Sequence, residues 1–392
     1  MYDKAIRLLT KAIKSGKLSR ENLSITYYNR GKAWDDKGDH DKAIADYTKA
    51  IEFNPEYAEA YDNRGDAWFL KGDYDKAIAD YTKAIEFNPE YVSAYDNRGI
   101  AWYRKGDDDK AIADYTKAIE FNPEYAKAYY NRGTAWYRKG DFDKAIADHT
   151  EAIEIDPKDA NAYNYRGLAW HNKGDYDKAI VDYTKAIEIA PEYAYTYNNR
   201  GNAWDAKGDL DKAIIDYTQA IKIDPKYANA YYCRGNSWKK KGDNDKAIAD
   251  YTKAIEINPG FSYAYNNRGN AWRDKGDYDK VITDWTKAIE FDPKNSNAYY
   301  GLARLMATCP EGRYRDGKRA VKLAEKAVAL KDDAHFLGTL AAAYAEAGRF
   351  QEAIVTQERA ITKLKQEGGT KYLPGFEEHL SLYKAGKPWR EK

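Results

Sequence analysis

The chain has 392 residues, more than one compact core usually holds, and its 64 basic and 63 acidic side chains leave a net charge of +1. That balance gives no bulk attraction to nucleic acid or to an anionic membrane, and no stretch approaches the ~20 apolar residues of a membrane-spanning helix. Two cysteines, Cys233 and Cys309, are too few for a disulfide framework.

In chain order, the start "MYDKAIRLLTKAIKSG" lacks the basic end, apolar core and small-residue cleavage site of a signal peptide. The cytoplasm is therefore the default compartment, and an exported chain that was processed or truncated would read the same. Residues 2–14 form one amphipathic helix, and residues 1–23 together make a half-unit and linker. From Ser24 to Asn295 the sequence repeats every 34 residues, marked by Pro55, Pro89, Pro123, Pro157, Pro191, Pro225, Pro259 and Pro293. Eight units align without gaps, starting at Ser24, Ala58, Val92, Ala126, Ala160, Ala194, Ala228 and Ser262. A fixed period of this length predicts a solenoid.

Each unit reads as two helices. Helix A covers about positions 1–14 of the unit, with a tyrosine at position 4, a glycine at 8 and a tryptophan at 11 on one face. "KGD" then breaks the chain: its Gly suits a left-handed residue after a helix, and its Asp suits the N-cap of helix B. Helix B carries its apolar stripe at positions 20, 21, 24, 27 and 28, and the proline at position 32 ends it. Residues 296–365 hold two divergent units, the first with a longer inter-helix loop. Residues 366–392 read as a closing amphipathic helix and tail.

The set of a tyrosine at position 4, glycine at 8, tryptophan at 11, a small residue at 20, an aromatic at 24, alanine at 27 and proline at 32 resembles the tetratricopeptide repeat of bacterial proteins over residues 24–295. The resemblance implies an all-α fold, a right-handed superhelical solenoid of stacked helix-turn-helix repeats. It also implies a concave groove lined by helix A, where peptides bind, and a convex side made by helix B.

"DKAIADYTKAIE" is identical at 41–52, 75–86, 109–120 and 245–256, while variation gathers at positions 2, 5, 9, 12 and 13 of helix A. Helical spacing puts those five positions on one face. Recognition of a partner explains the pattern; the competing explanation is drift on an exposed face, yet positions 22, 26 and 29 of helix B are also exposed and change little. The variable stripe runs from acidic (Asp35, Asp36, Asp62, Asp66, Asp96), through apolar and aromatic (Phe69, Leu70, Ile100, Tyr103, Tyr130, Tyr137, Leu168) edged by Arg104, Arg138 and Lys127, to basic (Lys239, Lys240, Arg273). Position 6 adds an amide series, Asn29, Asn63, Asn97, Asn131, Asn199 and Asn267, able to grip a peptide backbone or carboxylate. The partner-binding residues expected are thus these six Asn with Phe69, Tyr103, Arg104, Tyr137, Arg138, Lys239 and Arg273.

Position 7, usually Leu in the family, is Arg in all eight units (Arg30 to Arg268), and position 23 is Asp in the same eight (Asp46 to Asp284). The pattern predicts a ladder of Arg–Asp pairs beside the aromatic core. The matching Asp argues against an Arg stripe for phosphate or nucleic acid.

His40, His149, His171, His335 and His379 fall at unrelated repeat positions, and no metal, phosphate-loop or nucleophile motif appears. The expectation is a non-enzyme without cofactor or metal: a scaffold that holds an extended segment of a protein partner. The alternative is a self-assembling repeat protein forming head-to-tail oligomers or filaments, since the half-unit at residues 2–14 lacks its own helix A.

Overall fold

In a computed structural model, residues 2–391 are described apart from the side chain of Thr370, and among them lie 22 α-helices and no strand. They gather into two compact halves, residues 1–192 and 193–392, which a uniform repeat does not announce. Within each half, helices alternate A and B, and each packs on its neighbours in sequence. The fold is the all-α repeat array the periodicity predicts. Within each half most successive helices A also touch one another, and they form the row expected to line the groove, the inner row.

The third unit shows why these residues make this hairpin. Helix A spans Val92–Lys105 and ends at Gly106, whose φ of 87° is open to glycine without strain. Asp107 follows and accepts a hydrogen bond from the Lys110 amide, capping helix B at Asp108–Phe121. The two helices approach closely at Gly99: a Cβ there would lie 2.6 Å from the Tyr115 ring, which is 2% exposed. Ala101, Ala111 and Ala118 are fully buried around it. Small residues at positions 8, 10, 20 and 27 thus seat one ring, at position 24, at the centre of each hairpin.

The tryptophans at position 11 play a smaller part in this core than their size implies. Trp102 is only half-buried; it packs against the Ala77–Tyr81 cluster while Lys105 and Lys110 place their ammonium groups over its outer face, the nearer at 4.2 Å. The first of those lysines also pairs with an Asp of the preceding unit, as in Lys105–Asp75 and Lys139–Asp109.

Residues 2–14 form a helix, Tyr2–Lys14, that keeps the register of a helix B. Thr10 meets Arg30 at 3.0 Å and Asp3 meets Lys37 at 2.6 Å, the contacts that Thr48 and Asp41 make one unit later with Arg64 and Lys71. The two divergent units place helices at Ser296–Thr308, Gly317–Leu330, Ala334–Glu346 and Phe350–Gln366, and a last helix follows at Leu373–Lys384. Their alanine-rich A helices pack directly on each other, with Ala303, Ala307, Ala341 and Ala345 buried.

Candidate functional site

The arginine ladder forms in all eight units. Arg98 donates from Nε and Nη2 to both carboxylate oxygens of Asp114, at 2.8 and 2.7 Å, and the same two bonds recur from Arg30–Asp46 to Arg268–Asp284. A third bond, which the sequence pattern does not announce, joins Arg98 Nη1 to Thr82 of the preceding unit at 3.0 Å. The guanidinium also lies 5.6 Å above the Tyr95 ring, the family's position-4 aromatic. Each of its three nitrogens is engaged inside the array, so the stripe has a structural role in joining helix A to helix B and to the preceding unit.

The position-6 amides are partly used in the same way. Asn63 donates to the Tyr28 hydroxyl at 2.7 Å, Asn131 to Asp96 at 2.8 Å, and Asn97 to Asp62 and Asp66 at 3.3 and 3.1 Å. Asn267 donates to Asn236 at 2.8 Å and Tyr232 at 3.2 Å. Asn29 is exposed and Asn199 is half-buried. Asn63, Asn97, Asn131 and Asn267 therefore stitch one helix A to the one before it.

The charge gradient read from the sequence does not survive folding. Asp62 and Asp96 are buried, because position 5 faces the next helix A rather than open solvent. Burial pushes the Asp62 carboxyl up to about 7, with Asp66 adding repulsion, and pushes Asp66 up to about 6. Asp96 is held by Lys127 at 2.9 Å, and Asp35 by His40 at 2.7 Å. At the other end, Lys240 pairs with Asp205, and Lys239 and Arg273 both meet Asp274. Both ends are mixed in sign.

In the first half of the chain the aromatic middle is present but partly covered. Arg138 stacks on Tyr103, 3.5 Å from the ring centroid, and pairs with Asp108. Phe69 leans on Tyr74 at 5.2 Å, and Tyr137 on Phe142 at 5.6 Å, with Asn172 donating to the Tyr137 hydroxyl. Arg104 and Leu70 are exposed. Tyr165, which breaks the Asn series, completes a cluster with Tyr130, Tyr137 and His149. His149 replaces the buried position-24 Tyr of its neighbours; it is fully buried, and neither ring nitrogen has a hydrogen-bond partner.

The second half holds an opening on the row of helices A, with a cavity volume of about 560 Å³. Its wall is built from positions 6, 9, 12 and 13 of units 6–8: Asn236, Asn267, Asn270, Lys239, Lys240 and Arg273 among them. Tyr217 and Tyr251 close its floor and donate their hydroxyls to Asn202 and Asn236 at 2.9 and 2.8 Å. Cys233 lines it too, its thiol pushed up to about 12 by burial and by Asp205, so it stands there as a neutral group and not as a nucleophile. The sequence pointed to Lys239, Arg273 and Asn267 here. It passed over the position-9 amides, although their turn from Lys32 and Ile100 to Asn202, Asn236 and Asn270 was a legible signal.

Profiles described as "Tetratricopeptide repeat" match residues 24–57, 126–159, 160–193, 228–261 and 262–295, and "TPR repeat" profiles match 65–106, 101–140 and 206–242. The chain belongs to the tetratricopeptide repeat family. Such repeats generally mediate protein–protein interaction, and the family is typically non-catalytic. A tetratricopeptide repeat protein from Parabacteroides merdae shares the fold at 21% identity and a TM-score of 0.51, over 64% of this chain and 98% of that one. MamA is similar at 32% identity and a TM-score of 0.40, over 42% of this chain and 96% of its own. YrrB, described as a TPR protein with an unusual peptide-binding site, is similar at 25% identity and a TM-score of 0.41, over 48% and 97%. Among curated proteins no match is found. Among the described residues of this tetratricopeptide chain, no helix is long and apolar enough to cross a membrane, and no group of His, Cys, Asp or Glu is placed to hold a metal ion.

Proposed function

We propose that the inner row of helices A holds an extended segment of a protein partner, with its principal site in the cavity of units 6–8. The observation that carries this reading is the composition of that cavity: three of the five positions that vary from unit to unit, 9, 12 and 13, line it, beside position 6 and the position-24 rings. The Arg–Asp–Thr ladder and the position-24 rings account for the positions that stay constant. Amides at 202, 236, 267 and 270 suit a peptide backbone, which offers donors and acceptors in alternation. Lys239, Lys240 and Arg273 exceed by one the two carboxylates they meet, Asp205 and Asp274, and that excess favours an acidic segment. Within the first half of the chain, Tyr103, Tyr137 and Phe69 offer an apolar surface of their own.

Selection of peptides from a random display library on the purified chain tests this. Acidic peptides are expected, and Lys239→Glu/Arg273→Glu is expected to weaken them at least ~10-fold by removing the matched charge. A smaller loss is expected for Tyr103→Ala/Tyr137→Ala, whose rings are already partly covered. Equal binding by wild type and the charge-reversed variant would place the site elsewhere.

A second reading, self-assembly, draws on helix Tyr2–Lys14. Its Ala5 is only half-buried, whereas the equivalent Ala43, Ala77 and Ala111 are fully buried, and Leu8 is 59% exposed. An open packing face of this kind is a heterologous contact surface.

A further inference from the structure

Residues 387–391 run without regular structure against units 9 and 10. After the closing helix, Gly386 turns the chain at a φ of 67°, and residues 387–391 adopt no helix. Glu391 donates its amide to the Thr308 carbonyl at 2.9 Å, and Arg390 Nη1 reaches the Ala307 carbonyl at 3.5 Å. Those carbonyls are at the end of helix Ser296–Thr308, where no intrahelical donor remains. The Glu391 carboxylate accepts from Arg304 at 2.9 Å, and Arg390 pairs with Glu346. The Trp389 ring packs at a tilt against His379, centroids 4.1 Å apart, and lies 5.7 Å from the Arg304 guanidinium.

Trp389 forms one wall of a cavity of about 320 Å³ whose other walls include Tyr300, Arg304, His335, Phe376 and His379. Tyr300 and Arg304 sit at positions 5 and 9 of their helix A, so the surface under the tail is the continuation of the variable face. Arg304 is not fully served by the tail: its Nε is buried without a partner. A main-chain bond, an aromatic anchor and a carboxylate on a guanidinium are the contacts by which an extended peptide is held.

We propose that the tail, residues 387–391, is an intramolecular ligand of units 9 and 10, and that the surface beneath it takes from a protein partner an extended segment with an aromatic side chain two residues before a carboxylate. This site shares no lining residue with the cavity of units 6–8, although Arg273 of that cavity also lines a smaller opening with Arg304 and Glu391. A tethered tail acts at a high effective concentration, so it sets a threshold that a partner segment must exceed.

The test uses the full chain and the fluorescein-labelled peptide AGKPWREK, its own residues 385–392, followed by fluorescence anisotropy. In Trp389→Ala/Glu391→Ala the tail loses its anchors, and the peptide is expected to bind at least ~10-fold tighter than to wild type. Adding Arg304→Ala is expected to abolish that binding, and a peptide with Ala for Trp and Glu is expected not to bind. Absence of saturable binding to the released chain, or equal binding to both chains, overturns the proposal. Binding that is lost with Lys239→Ala/Arg273→Ala but kept with Arg304→Ala also overturns it, while leaving the reading of units 6–8 standing. Should the double change lower helix content by circular dichroism, Glu391→Ala alone replaces it; loss of fold there as well makes the tail a structural cap and sinks the idea.

Discussion

Arg98 and Asp114 illustrate what a single pair does in this array. Burial pushes the Asp114 carboxyl up, and the two hydrogen bonds from Arg98 pull it back down. The aspartate is tolerable inside the hairpin because of the guanidinium. The family residue at position 7, Leu, would leave the carboxylate desolvated and unpaired. Arg98→Leu is therefore expected to lower stability by about 2–3 kcal/mol, read as a fall in the urea midpoint. Arg98→Leu/Asp114→Ala is expected to recover at least half of the loss, because the stranded charge goes with its partner. A double variant no better than the single one would mean that the pair itself stabilises strongly. The pairing was legible in the sequence because both residues recur in the same eight units. The Thr82 bond was not, since it depends on how one hairpin sits on the next.

At the scale of elements, helix starts and stops were readable because their causes are local: an Asp cap, a left-handed Gly, a Pro after helix B. What was not readable is that position 24 of one unit faces position 6 of the next. His149 and Tyr165 lie there with ring centroids 5.8 Å apart, a smaller ring opposite a larger one, where the other units pair a larger ring with Asn, Cys or, opposite Trp285, Gly301. We expect the two substitutions to compensate. His149→Tyr alone would crowd Tyr165, Tyr165→Asn alone would leave a void, and the double change would restore the arrangement of the neighbours. A double-mutant cycle of unfolding free energies should give a favourable coupling of about 1–3 kcal/mol. The pH dependence follows from the same site. Burial, with Arg166 nearby, pushes the imidazole down to about 3. Between that value and the ordinary histidine range the unfolded chain binds a proton that the folded chain does not. The contribution to stability is thus present above about pH 6.5 and lost as pH falls toward 3. In the double variant this acid-side loss should disappear from thermal melts taken at pH 7 and pH 5; identical pH slopes in both chains would refute the assignment.

For the whole molecule, the question is whether the chain's main partner is itself. The inner-row cavity supports a monomeric scaffold, and the exposed face of helix Tyr2–Lys14 supports assembly. We expect light scattering across a concentration series to return a constant mass near 44.8 kDa. A mass that climbs with concentration would favour head-to-tail growth, and replacing the exposed Leu8 with Lys should then reverse it. By itself the sequence determined the repeat, the helices, their caps and the Arg–Asp ladder, because each rests on spacing and on short-range chemistry copied eight times. Only the tertiary structure decided which side chains of the variable face stay open. Position 5 turned inward, the expected basic end was paired with Asp205 and Asp274, and Tyr103 of the aromatic middle was partly covered by Arg138. Those outcomes depend on contacts between side chains about 30 or more residues apart, across successive units, where burial and ion pairing reset what composition alone implies.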